Sequence, residues 1–82
     1  MYKIIELKYI DGYKLWLLFN DGESKIIDFK NFIGKGVSSK LLDIEYFKLV
    51  IIDNGGGIEW PNGFDFCPNY LKEFVDGHHA QI

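Results

Sequence analysis

Two tight-turn signals in the first third of the chain constrain its fold more than any other feature of the sequence. Asp11-Gly12 and Asn20-Asp21-Gly22 each stand between apolar-rich segments, which cover residues 2–10, 13–19 and 24–29. Turns of this composition supply the positive φ angles that a tight hairpin requires. The spacing therefore predicts a three-stranded antiparallel meander.

The second predicted strand is apolar on both of its sides. Four side chains on one side are predicted to enter the core: Tyr13, Leu15, Leu17 and Phe19. An antiparallel sheet with one solvent-exposed face carries polar residues on that face. In the second strand, however, Trp16 and Leu18 lie on the outward side together with Lys14. Tryptophan is costly to leave in water and is enriched at interface hot spots. We therefore expect Trp16 and Leu18 to form an interaction surface that either drives a homodimer or receives a partner protein.

The second half of the chain predicts a hairpin and then a helix. Segment 48–52 contains three consecutive β-branched residues, and the glycine-rich stretch 53–57 connects it to a strand at 58–60. Cys67-Pro68 is predicted to open the helix, because proline is favoured at the first helical position. Apolar residues at helical spacing and a terminal glycine complete this helix: Tyr70, Leu71, Phe74 and Gly77.

Between the meander and the hairpin, only short helical turns are predicted. Residues 30–33 fit one turn that stops at Gly34, and Asp43 fits the N-cap of a turn through 44–47. The whole order predicts the α+β class, with a small antiparallel sheet (three-strand meander plus a hairpin), short helical turns and a C-terminal helix. The 82 residues give room for a single domain, 1–82.

The segment from Trp60 to Asp65 has two interpretations. In the structural one, Trp60 packs inward, and Asp65 accepts backbone N–H groups. Pro61, Asn62 and Gly63 then make a tight turn, with a positive φ at the glycine. In the functional one, the segment forms a surface pocket with Trp60 as a stacking platform and Asp65 as an acceptor. The structural interpretation is favoured, because a turn acceptor explains Asp65 without a ligand.

Charge and composition narrow the choice of partners. The net charge is −3 and arginine is absent, so direct nucleic-acid binding is not expected. Cys67 is the only cysteine, which excludes an internal disulfide and fits a reducing compartment. The longest apolar run, 15–19, is too short for a membrane span, and the N-terminus lacks the apolar stretch of a signal peptide. We expect a soluble, cytoplasmic protein with no membrane contact.

Two pairs of features invite a catalytic or phosphate-binding interpretation. The stretches 34–39 and 55–57 are rich in glycine, but neither has the residue order of a Walker-type loop, so turn chemistry explains them better. Glu59 and Asp65 could pair as the two carboxylates of a glycosidase do. Because the 82 residues contain twelve carboxylates, such pairs arise often by chance.

The remaining candidates are histidines and the single thiol. His78 and His79 are adjacent, so their rings do not share a helix face as metal ligands would. Cys67 is predicted to be an inert cap or a half-buried small residue that reacts slowly, since no partner residue stands at a nucleophile spacing. The sequence therefore predicts no catalytic, cofactor-binding or metal-ligating residue, no small-molecule ligand and no enzymatic activity.

Three stretches, taken in order, carry a family resemblance. They are Leu15-x-Leu-x-Phe19-x-Asp21-Gly22 followed by Asp28, then Leu42-Asp43-x-x-x-Phe47-x-x-Val50, then Trp60-Pro61-Asn62-Gly63-x-Asp65-x-x-Pro68-x-x-Leu71. This order resembles the bacterial family catalogued as domain of unknown function 2442, and the Trp-Pro-Asn-Gly-x-Asp segment is its most specific part. The resemblance covers residues 2–71 and leaves 72–82 as the end of the helix and a tail.

The resemblance implies a small α+β fold and no established catalytic residue. Some relatives carry a helix-turn-helix domain after this one, and others are encoded beside a second small protein in pairs that resemble toxin–antitoxin modules. Two hypotheses follow. The first is a non-enzymatic protein-interaction module, as the antitoxin-like partner of a neighbouring small protein. The second is an accessory domain of a nucleic-acid-linked transcriptional regulator. The two-sided apolar strand and the weak acidity favour the first.

Overall fold

The computed structural model describes residues 1–33 and 36–73, which form two antiparallel three-stranded sheets and short helical segments around one core. In chain order, the strands are β1 (Ile4–Asp11), β2 (Lys14–Phe19), β3 (Ser24–Asp28), β4 (Ile51–Ile52), β5 (Ile58–Glu59) and β6 (Asp65–Phe66). The helical segments are 3-10 turns at Lys30–Phe32 and Gly36–Leu42, α1 (Ile44–Phe47) and α2, described over Pro68–Glu73. This is the α+β class that the sequence predicts.

The predicted meander is confirmed. β1, β2 and β3 form one sheet in that order, and Gly12 and Gly22 take positive φ angles in its two turns. β2 lies in the middle, and its inward residues Leu15, Leu17 and Phe19 are fully buried. The alternation along β2 therefore sets which face of the meander covers the core.

The pairing of β1 with β2 is interrupted twice. The irregularities lie between Ile4 and Glu6 and between Tyr9 and Asp11. Bulges of this kind bend an edge strand and hinder pairing with another chain. Near the first bulge, the Ile4 N–H donates to the Gly56 carbonyl at 2.7 Å, so β1 meets the second sheet there.

The predicted hairpin does not join the meander, because it forms a second sheet of its own in the order β4-β5-β6. β6 is not predicted by the sequence, since two residues are too few to show a period. The strand predicted at 48–52 is reduced to Ile51–Ile52. The Leu49 N–H donates to the Tyr46 carbonyl at 3.0 Å and the Val50 N–H to the Phe47 carbonyl at 3.4 Å. These bonds extend the turn of α1 and keep the residues before β4 out of the ladder.

The glycine-rich loop between β4 and β5 is held by Asp53. Its Oδ1 accepts the N–H groups of Gly55 at 2.8 Å and Gly57 at 3.1 Å. A Cβ at Gly57 would collide with the Phe66 carbonyl, so glycine is needed for β6 to approach. The turn interpretation is confirmed here, because these N–H groups are donated within the loop. In the other glycine-rich stretch, Gly34 and Lys35 lie outside the described residues.

Short helical segments connect the two sheets. The turn predicted at 30–33 is the 3-10 turn Lys30–Phe32, and its predicted stop at Gly34 lies outside the described residues. The predicted N-cap of α1 is confirmed, because Asp43 Oδ1 accepts the Glu45 N–H at 3.1 Å. The sequence leaves 36–42 unassigned, and the 3-10 segment found there places Leu41 in the core.

A cluster of aromatic rings around Trp60 joins the two sheets and α1. Trp60 is 1% exposed, and its ring centroid lies 5.5 Å from that of Phe47 in α1 and 6.2 Å from that of Phe29. Its indole N–H donates to the Phe47 carbonyl at 2.8 Å, so the buried polar atom is paired. Phe47 in turn contacts the ring of Tyr13, at 5.4 Å between centroids. Trp60 thus links the second sheet to α1 and, through Phe47, to the meander.

The predicted C-terminal helix is confirmed as far as the structure describes it. It begins at Pro68, and Leu71 is buried against the core. Phe74 and Gly77, which are predicted to continue and end the helix, lie outside the described residues.

Two lysines clamp α2 to the meander. Lys25 in β3 donates to the carbonyls of Leu71 (3.3 Å) and Lys72, and burial lowers the pKa of its ammonium group. In return, the Lys72 ammonium forms ion pairs with Asp21 at 2.8 Å and with Glu23. The hydrogen bond from Lys72 holds the pKa of Asp21 below its usual value, and the bonds to Asp21 and Glu23 raise the pKa of Lys72.

This clamp predicts that Lys72→Met destabilises the protein in a pH-dependent way. Methionine has an unbranched apolar side chain of similar length, so the difference between the two proteins comes from the ammonium group, which also lies 5.1 Å from the ring centroid of Phe19. Asp21 stabilises the fold above its ordinary pKa of about 3.9, and this contribution is lost as the pH falls through its lowered folded pKa. Lys72 contributes below its ordinary pKa of about 10.4 and loses its contribution as the pH rises through its raised folded pKa. In urea denaturation, the gap between the midpoints of wild type and variant should be largest near neutral pH.

Lys30→Met is the matched control, because the exposed Lys30 forms no ion pair among the described residues. Its midpoint should follow that of the wild type at every pH. If the deficit of Lys72→Met is the same at about pH 7 and about pH 2, the stabilisation comes from packing of the stem and not from the ion pairs.

Candidate functional site

The residues from Trp60 to Phe64 form a tight loop between β5 and β6. The Trp60 N–H donates to the Phe64 carbonyl and the Gly63 N–H donates to the Trp60 carbonyl, both at 2.9 Å. Gly63 has a φ of 91°, as predicted, and Pro61 is exposed at the tip. These are the features of a three-residue hairpin loop with a left-handed glycine. Because Trp60 packs inward, its ring is not presented as a stacking platform.

The predicted acceptor role of Asp65 is wrong. Asp65 is exposed in β6, and no residue within the described part of the chain hydrogen-bonds its carboxylate. Asn62 takes this role instead, because its Oδ1 accepts the Phe64 N–H at 3.1 Å. An Asn or Asp side chain bonds most readily to the N–H two residues further on. Asn62 stands at that spacing inside the loop, whereas Asp65 has already entered the strand.

The second sheet brings two carboxylates together on its outward face. Glu59 and Asp65 are directly opposite each other across β5 and β6, and Ile51 is opposite Glu59 across β4 and β5. Opposite side chains have Cβ atoms about 4.5–5.5 Å apart, and like charges at this distance repel each other. None of the described lysines forms an ion pair with either carboxylate. Asp65 is exposed and Glu59 is half-buried, so the pair lies on the outward face of the second sheet.

An open groove of about 300 Å³ lies beside this pair, and we call it the Pro61 groove. Its lining residues are Leu49, Ile51, Glu59, Trp60 and Pro61. Leu49 is 52% exposed and Ile51 is 58% exposed, although both are large and apolar. The groove therefore combines an apolar wall with one carboxylate.

The outward side of the meander contains the predicted interaction residues. Trp16 and Leu18 are half-buried, and Ile26 in β3, directly opposite Trp16, is 57% exposed. Lys8 in β1 is also opposite Trp16, and its ammonium nitrogen lies 5.3 Å from the ring centroid. The structure thus brings Ile26 and Lys8 next to the two residues that the sequence singles out.

We call this surface the outer meander face and define it by Glu6, Lys8, Asp11, Lys14, Trp16, Leu18, Ser24, Ile26 and Asp28. Glu6 and Lys8 form an ion pair at 3.7 Å, and Lys14 is directly opposite Asp28. Asp11 is directly opposite Lys14 on its β1 side, so the face has three carboxylates and two ammonium groups. The outer meander face therefore carries −1 of the chain's net charge of −3.

The described helical segments contact the other side of the meander. The Tyr13 hydroxyl donates to the carbonyl of Leu42, which ends the second 3-10 segment. Phe47 of α1 packs against Tyr9, at 6.1 Å between ring centroids, and α2 is held by Lys25. Because these contacts are made from the inward side, the described helical segments cover the core and not Trp16.

Cys67 confirms one prediction and corrects another. Its Sγ accepts the Tyr70 N–H at 3.4 Å, so it caps α2 as predicted. The expectation that the thiol is half-buried is wrong, because Cys67 is exposed. The alternation of β6 explains the difference. Asp65 is exposed, Phe66 turns toward the core, and the next residue points outward again.

Two further findings concern the described residues. Residues 1–33 and 36–73 hold no group of three or more His, Cys, Asp or Glu side chains placed to bind a metal ion. No described helix combines the length and the apolar composition needed to traverse a bilayer. His78 and His79 lie outside the described residues.

The sequence patterns do not single out three of the exposed apolar residues, Ile26, Leu49 and Ile51. The period-2 alternation that identifies Trp16 also identifies Ile26 and Ile51, since Ile27 and Val50 beside them are buried, but it does not apply to Leu49, which precedes β4. No local pattern, however, places Leu49 and Ile51 beside Pro61. That juxtaposition requires the pairing of β4 with β5.

The loop geometry predicts different outcomes for two substitutions. Asn62→Ala removes the acceptor of the Phe64 N–H and should lower the free energy of unfolding by about 1 kcal/mol, the scale of one hydrogen bond. Asp65→Asn removes one of two facing carboxylates and should leave the free energy of unfolding unchanged or slightly higher. Urea denaturation of both variants beside the wild type measures the two effects. A larger loss for Asp65→Asn than for Asn62→Ala would contradict the assignment of the acceptor.

Residues 4–77 match the family described as protein of unknown function (DUF2442). This match begins in β1, includes the loop from Trp60 to Phe64 and continues past Leu71, where the third motif ends. Comparisons with curated proteins and with solved structures find no match. Since the matched region spans most of the chain, the protein belongs to the DUF2442 family.

Proposed function

We propose that the protein is a non-enzymatic protein-interaction module and that its outer meander face binds a second copy of the chain. The observation that carries this proposal is the contiguous apolar centre formed by Trp16, Leu18 and Ile26. Contiguous exposed apolar patches mark interaction sites, whereas single exposed apolar residues do not. A tryptophan at the centre of such a patch supplies a large contact area, as at interface hot spots.

The charge distribution supports a second copy as the occupant. In a two-fold symmetric interface the same patch occurs on both sides, so a patch of one sign would repel itself. The outer meander face carries Glu6, Asp11 and Asp28 together with Lys8 and Lys14, so charges of both signs are interspersed and the net charge is only −1. The rest of the chain carries the remaining −2 and would repel another copy more strongly. The outer meander face is therefore suited to self-association.

The size of the patch sets the expected strength of the dimer. Stable protein interfaces bury about 800 Å² on each partner, with a well-packed apolar centre. Three apolar side chains make a small centre. We therefore expect a weak dimer that forms at protein concentrations on the order of hundreds of micromolar.

The proposal also includes a specific partner, a basic neighbouring protein. A protein with a net charge of −3 is suited to mask a basic neighbour, as an antitoxin does. In this role the outer meander face would pair two copies, and the acidic remainder of the surface would face the neighbouring protein.

If the protein self-associates through the outer meander face, charged residues introduced there should lower its molecular mass in solution from dimer to monomer. Replacing Trp16→Lys and Leu18→Lys together should convert a concentration-dependent dimer into a monomer, because four additional charges would meet in the interface. Analytical ultracentrifugation of both proteins across a concentration series measures this. Circular dichroism of the same samples shows whether the variant is folded.

Single substitutions keep this test decisive if the double variant unfolds. Ile26→Lys changes a side chain that is 57% exposed and should give a folded monomer. Leu42→Lys, at a residue that is 43% exposed outside the outer meander face, is the matched control and should dimerise as the wild type does. A wild type that stays monomeric at high concentration, or an Ile26→Lys variant that dimerises normally, would overturn the proposal.

A further inference from the structure

We infer that the Pro61 groove and the carboxylate pair beside it bind an extended segment of a basic partner protein. The segment places an apolar side chain in the groove and a lysine or arginine against Glu59 and Asp65. This inference depends on the proposed function only for the general role in protein binding. It concerns a different surface, a different partner and a different chemistry from the self-association of the outer meander face.

The charge of the site favours a cationic group on the partner. Glu59 and Asp65 face each other across β5 and β6, where like charges repel, and no described lysine neutralises them. Lys48, close to the groove residue Leu49 in sequence, pairs with Glu45 at 3.8 Å and lies 5.1 Å from the ring centroid of Tyr9. A cation supplied by a partner would replace this repulsion by two charge-assisted hydrogen bonds.

The apolar wall of the groove favours an apolar side chain of the partner. Leu49 and Ile51 expose more than half of their surface, and Pro61 is exposed next to them in the same groove. The loop that carries Pro61 is anchored to the core, because the buried Trp60 indole donates to the Phe47 carbonyl. A preformed apolar recess loses little conformational freedom on binding, which favours an apolar side chain as its occupant.

The spacing between the groove and the two carboxylates matches the spacing of alternate side chains in an extended peptide. Neighbouring strands lie about 4.8 Å apart, so Ile51, Glu59 and Asp65 form a row across the sheet roughly 10 Å long. In an extended peptide, alternate side chains point the same way and are about 6.6–6.8 Å apart. A peptide that runs along the row with an apolar residue over Ile51 therefore places the side chain two positions later near both carboxylates. The recognised pattern is an apolar residue, any residue, then lysine or arginine.

A peptide titration tests the inference directly. The probe is the synthetic peptide acetyl-Gly-Leu-Ser-Arg-Gly-amide, added to the ¹⁵N-labelled full chain and followed by two-dimensional NMR. The largest amide shifts should fall on Leu49, Ile51, Glu59 and Asp65. Glu59→Gln combined with Asp65→Asn should weaken binding about tenfold, as expected for loss of a close charge pair. Leu49→Ser should also weaken binding, because it removes part of the apolar wall.

Matched controls separate recognition from general acidity. Asp11→Asn combined with Glu73→Gln removes the same amount of charge from exposed positions outside the groove and should bind the peptide as the wild type does. The same peptide with glutamate in place of arginine should not bind. The variant with Trp16→Lys and Leu18→Lys should bind normally if it folds, so failure of the dimer and failure of this site are distinguishable.

Three results would overturn the inference. The first is an absence of shifts at millimolar peptide. The second is equal binding by the variant that lacks the charges of Glu59 and Asp65. The third is a set of shifts spread over the acidic surface with equal losses in both charge variants, which would indicate only general attraction between opposite charges.

Discussion

Burial of the Trp60 indole, with its N–H donated to the Phe47 carbonyl at 2.8 Å, is the interaction on which the rest of the structure depends. A buried donor without a partner would cost about 1–3 kcal/mol, so the loop that carries Trp60 and the carbonyl of α1 must be placed together. Phe47 also packs against Tyr13, next to β2. One hydrogen bond and its surrounding rings therefore fix the second sheet, α1 and the meander relative to one another, in a chain that has no internal disulfide.

The same constraint decides which residues face outward. With Trp60 turned inward, the preceding residue of the alternation, Glu59, points to the outward face of the second sheet, and Pro61 occupies the exposed tip. On the meander, the inward side is occupied by the contacts to the described helical segments, which leaves Trp16 on the opposite side. A domain this small has one core and few elements to cover it. Two outward surfaces are the consequence: one is apolar with charges of both signs, and the other is apolar with two facing carboxylates.

Local chemistry explains what the sequence predicts correctly. The turns at Gly12 and Gly22, the cap at Asp43 and the inward alternation of β2 each depend on residues within a few positions of one another, and each is confirmed. The separate second sheet depends on pairing across distant residues, which no local period encodes. The same holds for the site. The motif from Trp60 to Asp65 is visible in the sequence, but the exchange of roles between Asn62 and Asp65 follows from where β6 begins.

The two tryptophans allow the central claim, self-association through the outer meander face, to be tested in one measurement. Trp16 lies on that face, whereas Trp60 is buried and hydrogen-bonded in the core. In ¹H–¹⁵N spectra recorded during dilution from about 1 mM to about 20 μM, a range that spans a weak dimer, each indole N–H gives its own signal. Self-association predicts that the Trp16 signal moves with dilution while the Trp60 signal stays fixed. If the Trp16 signal stays fixed across the whole series, the outer meander face does not bind a second copy.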